Sequence, residues 1–177
     1  MNIKKLIVGE LSTNCYLLES KGELAIIDAG DEADRIIAEA KATKAKLKYL
    51  ICTHYHYDHV EAVEEVKKEL GGVVIIHESE KEYLDFPVDL FLKNGDKIVL
   101  GDETMIIYNL PGHSEGSICL LGNDFLFTGD LLFAEGHGHT LLPGSSDIKI
   151  KNSLSDIRQI IKPGLPIYPG HGESFVM

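Results

Sequence analysis

The sequence predicts an α/β protein of two halves set face to face, and two patterns carry that prediction. Over the first half, short apolar runs alternate with stretches whose apolar residues recur at helical spacing. From residue 97 the alternation gives way to consecutive short strands, and a helical stripe returns only near the end. A third observation locates the chemistry: the polar cluster THYHYDH, residues 53–59, falls in the turn between a strand and a helix of the first half.

Taken in order, residues 3–8, 14–19 and 24–28 read as strands, with Lys21-Gly22-Glu23 as a turn. Asp31 is placed to cap a helix running to about Thr43, with Ile36, Ile37 and Ala40 facing inward. Residues 47–52 form the next strand. After the polar turn, Val60, Val63, Val66 and Leu70 mark one helix that Gly71-Gly72 ends. Residues 73–77 have no polar interruption before His77, as expected of a strand covered on both faces. His77 reads as a capping or solvated residue.

A short helix at 79–84 precedes an irregular crossover at 87–95. Strands at 97–100 and 104–110 follow. Residues 117–121 and 125–128 then make a hairpin around Gly122-Asn123-Asp124. Residues 131–146 form a long glycine-rich loop, a length often tied to function. Ser146 or Asp147 opens a last helix with Leu154, Ile157, Ile160 and Ile161 as its stripe, stopped by Pro163-Gly164. A short strand at 167–168 leads to Gly170-His171.

A chain of 177 residues suits one domain with a substantial aliphatic core. Its net charge of −11 argues against nucleic acid as a partner, because phosphate binding needs clustered Lys and Arg. No apolar stretch approaches membrane-spanning length and the start lacks a signal-peptide pattern, so membrane association is not expected and a cytoplasmic location is. Cys15, Cys52 and Cys119 lie in apolar runs and are expected as buried thiols.

His54, His56, Asp58 and His59 fall within six residues, and a sharp turn can aim alternate side chains at one point, as a metal site requires. Matching groups recur downstream in Pro111-Gly112-His113, Thr128-Gly129-Asp130 and Pro169-Gly170-His171. Each stands beside a glycine, where the backbone can turn tightly. Asp28 ends a strand in Asp28-Ala29-Gly30 and could serve as a turn former, a helix cap or an orienting carboxylate.

This set of residues resembles the metallo-β-lactamase superfamily, and within it the glyoxalase II-like hydrolases, from Asn14 to His171. The resemblance implies a four-layer αββα sandwich with a two-metal site along one edge. It implies His54, His56 and His113 on one ion, Asp58, His59 and His171 on the other, and Asp130 bridging them. Asp28 would orient the ligand loop by hydrogen bonding. Such donors suit two divalent ions, zinc first, with iron or manganese also accommodated.

The implied reaction is hydrolysis of a small thioester, such as S-lactoylglutathione or a related S-acyl thiol. A metal-bridging hydroxide would attack, with Asp58 and Asp130 as the catalytic carboxylates. A persulfide dioxygenase, with one iron on His54, His113 and Asp130, is the second expectation. A non-catalytic metal-binding module fits less well, since all seven ligand positions are filled.

Two departures stand out. Relatives often read Gly-x-Gly-Arg-Thr where this chain reads Gly136-His137-Gly138-His139-Thr140, leaving His137 and His139 either solvated or in contact with substrate. Larger glyoxalase II enzymes also carry a helical C-terminal segment for the glutathione moiety, whereas this sequence stops soon after His171.

Overall fold

The computed structural model describes residues 1–177. A first sheet holds, in spatial order, β1 (Asn2–Val8), β2 (Thr13–Ser20), β3 (Glu23–Ile27), β4 (Lys46–Ile51), β5 (Val73–His77) and β6 (Leu90–Leu92). β1 to β3 are antiparallel and β3 to β6 are parallel. Parallel neighbours need crossover connections. These carry α1 (Ala33–Thr43), α2 (Tyr57–Val60), α3 (Val63–Leu70) and a 3-10 helix at Glu78–Tyr83.

The second sheet runs β7 (Lys97–Leu100), β8 (Glu103–Asn109), β9 (Ile118–Leu121), β10 (Leu126–Gly129), β11 (Pro166–Pro169) and β12 (Phe175–Val176). Its first four strands are antiparallel. α4 (Asp147–Ile160) crosses over to set β11 parallel to β10.

The strand period of two sorts side chains into three cores. Cys15, Leu17, Leu24, Ile26, Leu50, Val74 and Ile76 face outward from the first sheet onto Ile36, Ala40, Val63 and Val66 of α1 and α3. Their neighbours Tyr16, Leu18, Ala25, Ile27, Ile51 and Ile75 face inward and meet Ile98, Met105, Ile107, Ile118, Leu120 and Phe127 of the second sheet. On the far side, Cys119, Leu126 and Leu165 pack on Ile150 and Ile157 of α4. The result is the αββα sandwich. All three cysteines are free and buried, and no helix is long and apolar enough to cross a membrane.

Four details differ from the sequence reading. α1 begins one residue later than expected, after Glu32 at φ 54°, and the Asp31 carboxylate instead accepts the Glu32 N–H at 2.5 Å. The helix expected up to Leu70 is split into α2 and α3, because Ala62 donates its N–H to Ala29 O at 3.0 Å. The crossover at 87–95 contains β6, and the chain end adds β12. His77, by contrast, caps the 3-10 helix as expected, accepting from Ser79 N at 3.3 Å.

Candidate metal centre

Strand ends and the loops that follow them build the centre at one edge of the sandwich. Residues 53–59 leave β4, His113 sits in the loop joining β8 to β9, Asp130 follows β10, and His171 follows β11. The fold thus joins residues up to 117 positions apart in the sequence into one buried floor. His54, His56, His59 and His113 are each no more than 4% exposed and Asp130 is 8% exposed, so each polar atom there needs a partner.

Most of those partners are one another. Nε2 of His113 lies 3.2 Å from Nε2 of His54 and 2.8 Å from Nδ1 of His56. Nε2 of His59 lies 3.3 Å from Nε2 of His171 and 3.4 Å from Asp58 Oδ2, which is itself 3.3 Å from His171 Nε2. Asp130 stands between the two groups: Oδ1 is 3.4 Å from His59, and Oδ2 is 3.3 Å from His113 and 3.5 Å from His171. An ion with bonds of about 2.0–2.1 Å and tetrahedral geometry sets its ligands about 3.3–3.4 Å apart. Asp130 Oδ1 is buried and accepts no hydrogen bond, while His56 turns its Nδ1 to the centre and leaves a buried Nε2 unpartnered on the other side of the ring. The donor set therefore fits divalent cations, and the groups able to hold one are His54/His56/His113, His54/His59/Asp130 and Asp58/His59/His171.

The far nitrogens of four rings are fixed from behind. His59 Nδ1 donates to Asp28 Oδ2 at 2.9 Å, His113 Nδ1 to His139 O at 2.7 Å, and His171 Nδ1 to Leu11 O at 3.1 Å. His54 Nδ1 lies 3.0 Å from Thr53 Oγ1, which donates to Asp28 Oδ2 at 2.8 Å. Each bond leaves the Nε2 lone pair pointing at the centre. Asp28 also accepts Thr53 N–H at 2.7 Å. Its backbone is held at φ 55°, a strained conformation for a non-glycine residue that aims the carboxylate into the floor. Glycine is needed at position 170, where an added Cβ would lie 2.2 Å from Asp130 Oδ1.

Electrostatics divides the floor in two. Burial keeps one trio neutral: it pushes His54 well below the usual histidine value and His56 down to about 3, with neighbouring imidazoles adding to both, and it also lowers His113. Burial opposes charge on His59 as well, but Asp130, Asp28 and Asp58 outweigh it and hold this ring at about 9. Burial would raise Asp58, yet the hydrogen bond from His171, the charge on His59 and the bond from Thr13 keep its carboxyl well below the usual range. Binding a dication displaces such protons from imidazole.

Above the floor opens a cleft of about 1150 Å³. Tyr55, Tyr83, Phe86 and Phe133 wall it, and the exposed rings of His137 and His139 line it. Tyr55 and Tyr83 stack at 4.6 Å and 19°, and the Tyr55 hydroxyl donates to Pro143 O at 2.8 Å. Sequence reasoning missed these wall residues, as it missed Thr13 and Glu80. Thr13 donates to Asp58 Oδ2 at 2.8 Å. Glu80 is fully buried under the His113 loop, accepting from Ser114 Oγ at 2.5 Å and Gly116 N at 2.6 Å. Only Thr53, at the start of the motif, carried a local signal.

A two-sheet sandwich with a His/Asp donor floor at one edge defines a class of metal-binding hydrolases. The chain belongs to the metallo-beta-lactamase superfamily, whose family model matches residues 8–171. It is similar, at 30% identity over 161 residues, to a probable polyketide biosynthesis zinc-dependent hydrolase, PksB, of Bacillus subtilis, with 89% of this chain and 72% of that one covered. It is 32% identical over 197 residues to the hydroxyacylglutathione hydrolase GloC of Haemophilus influenzae, covering 97% and 91%. Of solved structures, the BLEG-1 B3 metallo-beta-lactamase matches with a TM-score of 0.93 at 26% identity over 99% of this chain and 94% of that one. TTHA1623 in a di-iron-bound form matches with 0.88 at 27% identity over 98% and 94%. The metals and activities in these names differ, while the fold is shared.

Proposed function

We propose that this protein is a binuclear metal-dependent hydrolase of small acyl thioesters. The observation that carries the reading is the division of the floor into two donor groups with Asp130 between them. His54, His56 and His113 would hold one ion, Asp58, His59 and His171 the other, and zinc is the first candidate, with iron or manganese next. Bound there, the dications supply a Lewis acid for the acyl oxygen and acidify water.

The chain's own residues supply position. Asp28, Thr53 and the carbonyls of Leu11 and His139 orient the imidazoles. Thr13 holds Oδ2 of Asp58 in place beside the His59 and His171 nitrogens. The aromatic walls exclude bulk solvent from the acyl group. Water gives its oxygen to the acyl carbon as the C–S bond breaks, releasing a carboxylate, a thiol and one proton. A thiolate leaves without a dedicated general acid. The GloC relative, named a hydroxyacylglutathione hydrolase, supports the thioester class.

Elemental analysis of protein purified without chelators, followed by a thioester panel, tests this. About two dications per chain and thiol release support it. One iron per chain with oxygen uptake on a persulfide would replace it with a dioxygenase built on His54, His113 and Asp130.

A further inference from the structure

We infer that the substrate carries positive charge on the part remote from its scissile bond, as in a thioester of an amine-bearing thiol. This rests on the thioester reading above and adds the charge of the substrate to it. The cleft over the floor is lined by Glu61, Glu64, Glu82 and Asp85, and by no lysine or arginine. All four acids are exposed, and none has an ion-pair partner within 4.0 Å. Of the basic residues nearby, Lys67 pairs with Asp89, Lys93 pairs with Glu78, and Lys81 lies 5.7 Å over the Phe91 ring.

A run of exposed acids alone is ordinary solvated surface. Here it edges a built site. The cleft opens over the donor groups proposed above to hold the dications, so these acids edge the space in which the substrate would lie. The same cleft is walled by Tyr55 and Tyr83, stacked at 4.6 Å, and by Phe86. Aromatic faces attract cations, most strongly where water is partly excluded. The two features select the same ligand charge independently.

The positive charge brought by dications does not cancel this selection. It sits at the floor, where Asp58 and Asp130 neutralise part of it, and it acts on the acyl oxygen. The outer cleft is governed by its own four acids, which focus a negative potential into a cavity with apolar walls. A thiol bearing carboxylates, as glutathione does, meets repulsion there and finds no lysine or arginine in the lining to hold it. An ammonium group meets four carboxylates and an aromatic wall.

The test uses three thioesters of one acyl group on the metal-loaded protein: S-butyrylthiocholine, S-butyryl-N-acetylcysteamine and S-butyryl-3-mercaptopropionate. The expected kcat/KM order is cationic, neutral, anionic. The outer pair should differ by about tenfold at low salt, narrowing to about twofold at 0.5 M salt as screening grows. The double variant Glu64→Lys/Glu82→Lys should reverse the order.

Binding without turnover gives a second readout. Calorimetry with the thioether S-butylthiocholine should show affinity falling about fivefold or more in that variant. Equal rates on all three thioesters, an anionic preference, or binding indifferent to the variant would overturn the charge inference while leaving thioester hydrolysis standing. No thiol release from any of the three would overturn both.

Discussion

The floor of the cleft and its walls are built on opposite principles. On the floor, His54, His56, His59, His113 and Asp130 are buried, and His54, His59, His113 and His171 are bonded from behind. On the walls, aromatic rings and unpaired acids are half-buried or exposed and, Tyr55 apart, come from segments outside the ligand motifs. The floor is fixed because a cation tolerates little error in ligand placement. The walls are free to vary because they act through area and charge. Chemistry and selectivity are therefore separable in this molecule, and substitutions should affect one without the other.

The largest effect should come from the floor. Asp130→Asn replaces the carboxylate shared by both donor groups, and we expect a loss of about a thousandfold or more in kcat/KM with at least one ion lost. Steady-state kinetics with elemental analysis reads both. Unchanged activity and metal content would remove Asp130 from its place between the groups. One layer back, Asp28→Asn turns an amide toward Thr53 and His59, two groups that donate to Asp28. It should weaken metal affinity about 10–100-fold in a chelator competition, leaving the thioester preference of the walls intact.

Glu80 tests whether the scaffold under the His113 loop carries its own pH dependence. Burial raises this carboxyl to about 7, against the lowering influence of Ser114 and Gly116, and its Oε2 has no partner. The folded state thus holds a proton that the unfolded chain releases near its ordinary value of 4.5. Stability from this group is complete at low pH and is lost as pH rises through about 7. Relative to Glu80→Gln, the parent should lose up to about 1.4 kcal/mol per pH unit across that window, measured by denaturant titration. A parallel pH dependence in both proteins would contradict it.

The smallest effect belongs to the wall. Tyr83→Ala removes one face of the stacked pair, and we expect KM to rise about three- to tenfold with kcat little changed. A fall in kcat alone would mean that wall and floor are coupled.

The sequence foretold the floor far better than the walls, for a physical reason. Ligand placement needs His and Asp at strand ends beside glycines, and these stand out locally, as at His113, Asp130 and His171. The layers were legible as well, because periods of 2 and 3.6 mark buried faces. β6 and β12 are three and two residues long, too short for any period to register. The break between α2 and α3 depends on Ala29, a tertiary partner that the spacing of Val60, Val63 and Val66 does not reveal. Glu80 lies in the charged run ESEKE, where nothing local signals burial, and its partners come 34 and 36 residues later. The wall is likewise assembled from the metal turn, α3, the 3-10 helix and loop segments whose meeting no local pattern encodes.

The most direct test of the two-group floor is anomalous diffraction from crystals of the metal-loaded protein. We expect two peaks, one among His54, His56 and His113 and one among Asp58, His59 and His171, with Asp130 contacting both. A single peak at full metal loading, or a peak away from these side chains, would contradict the binuclear centre.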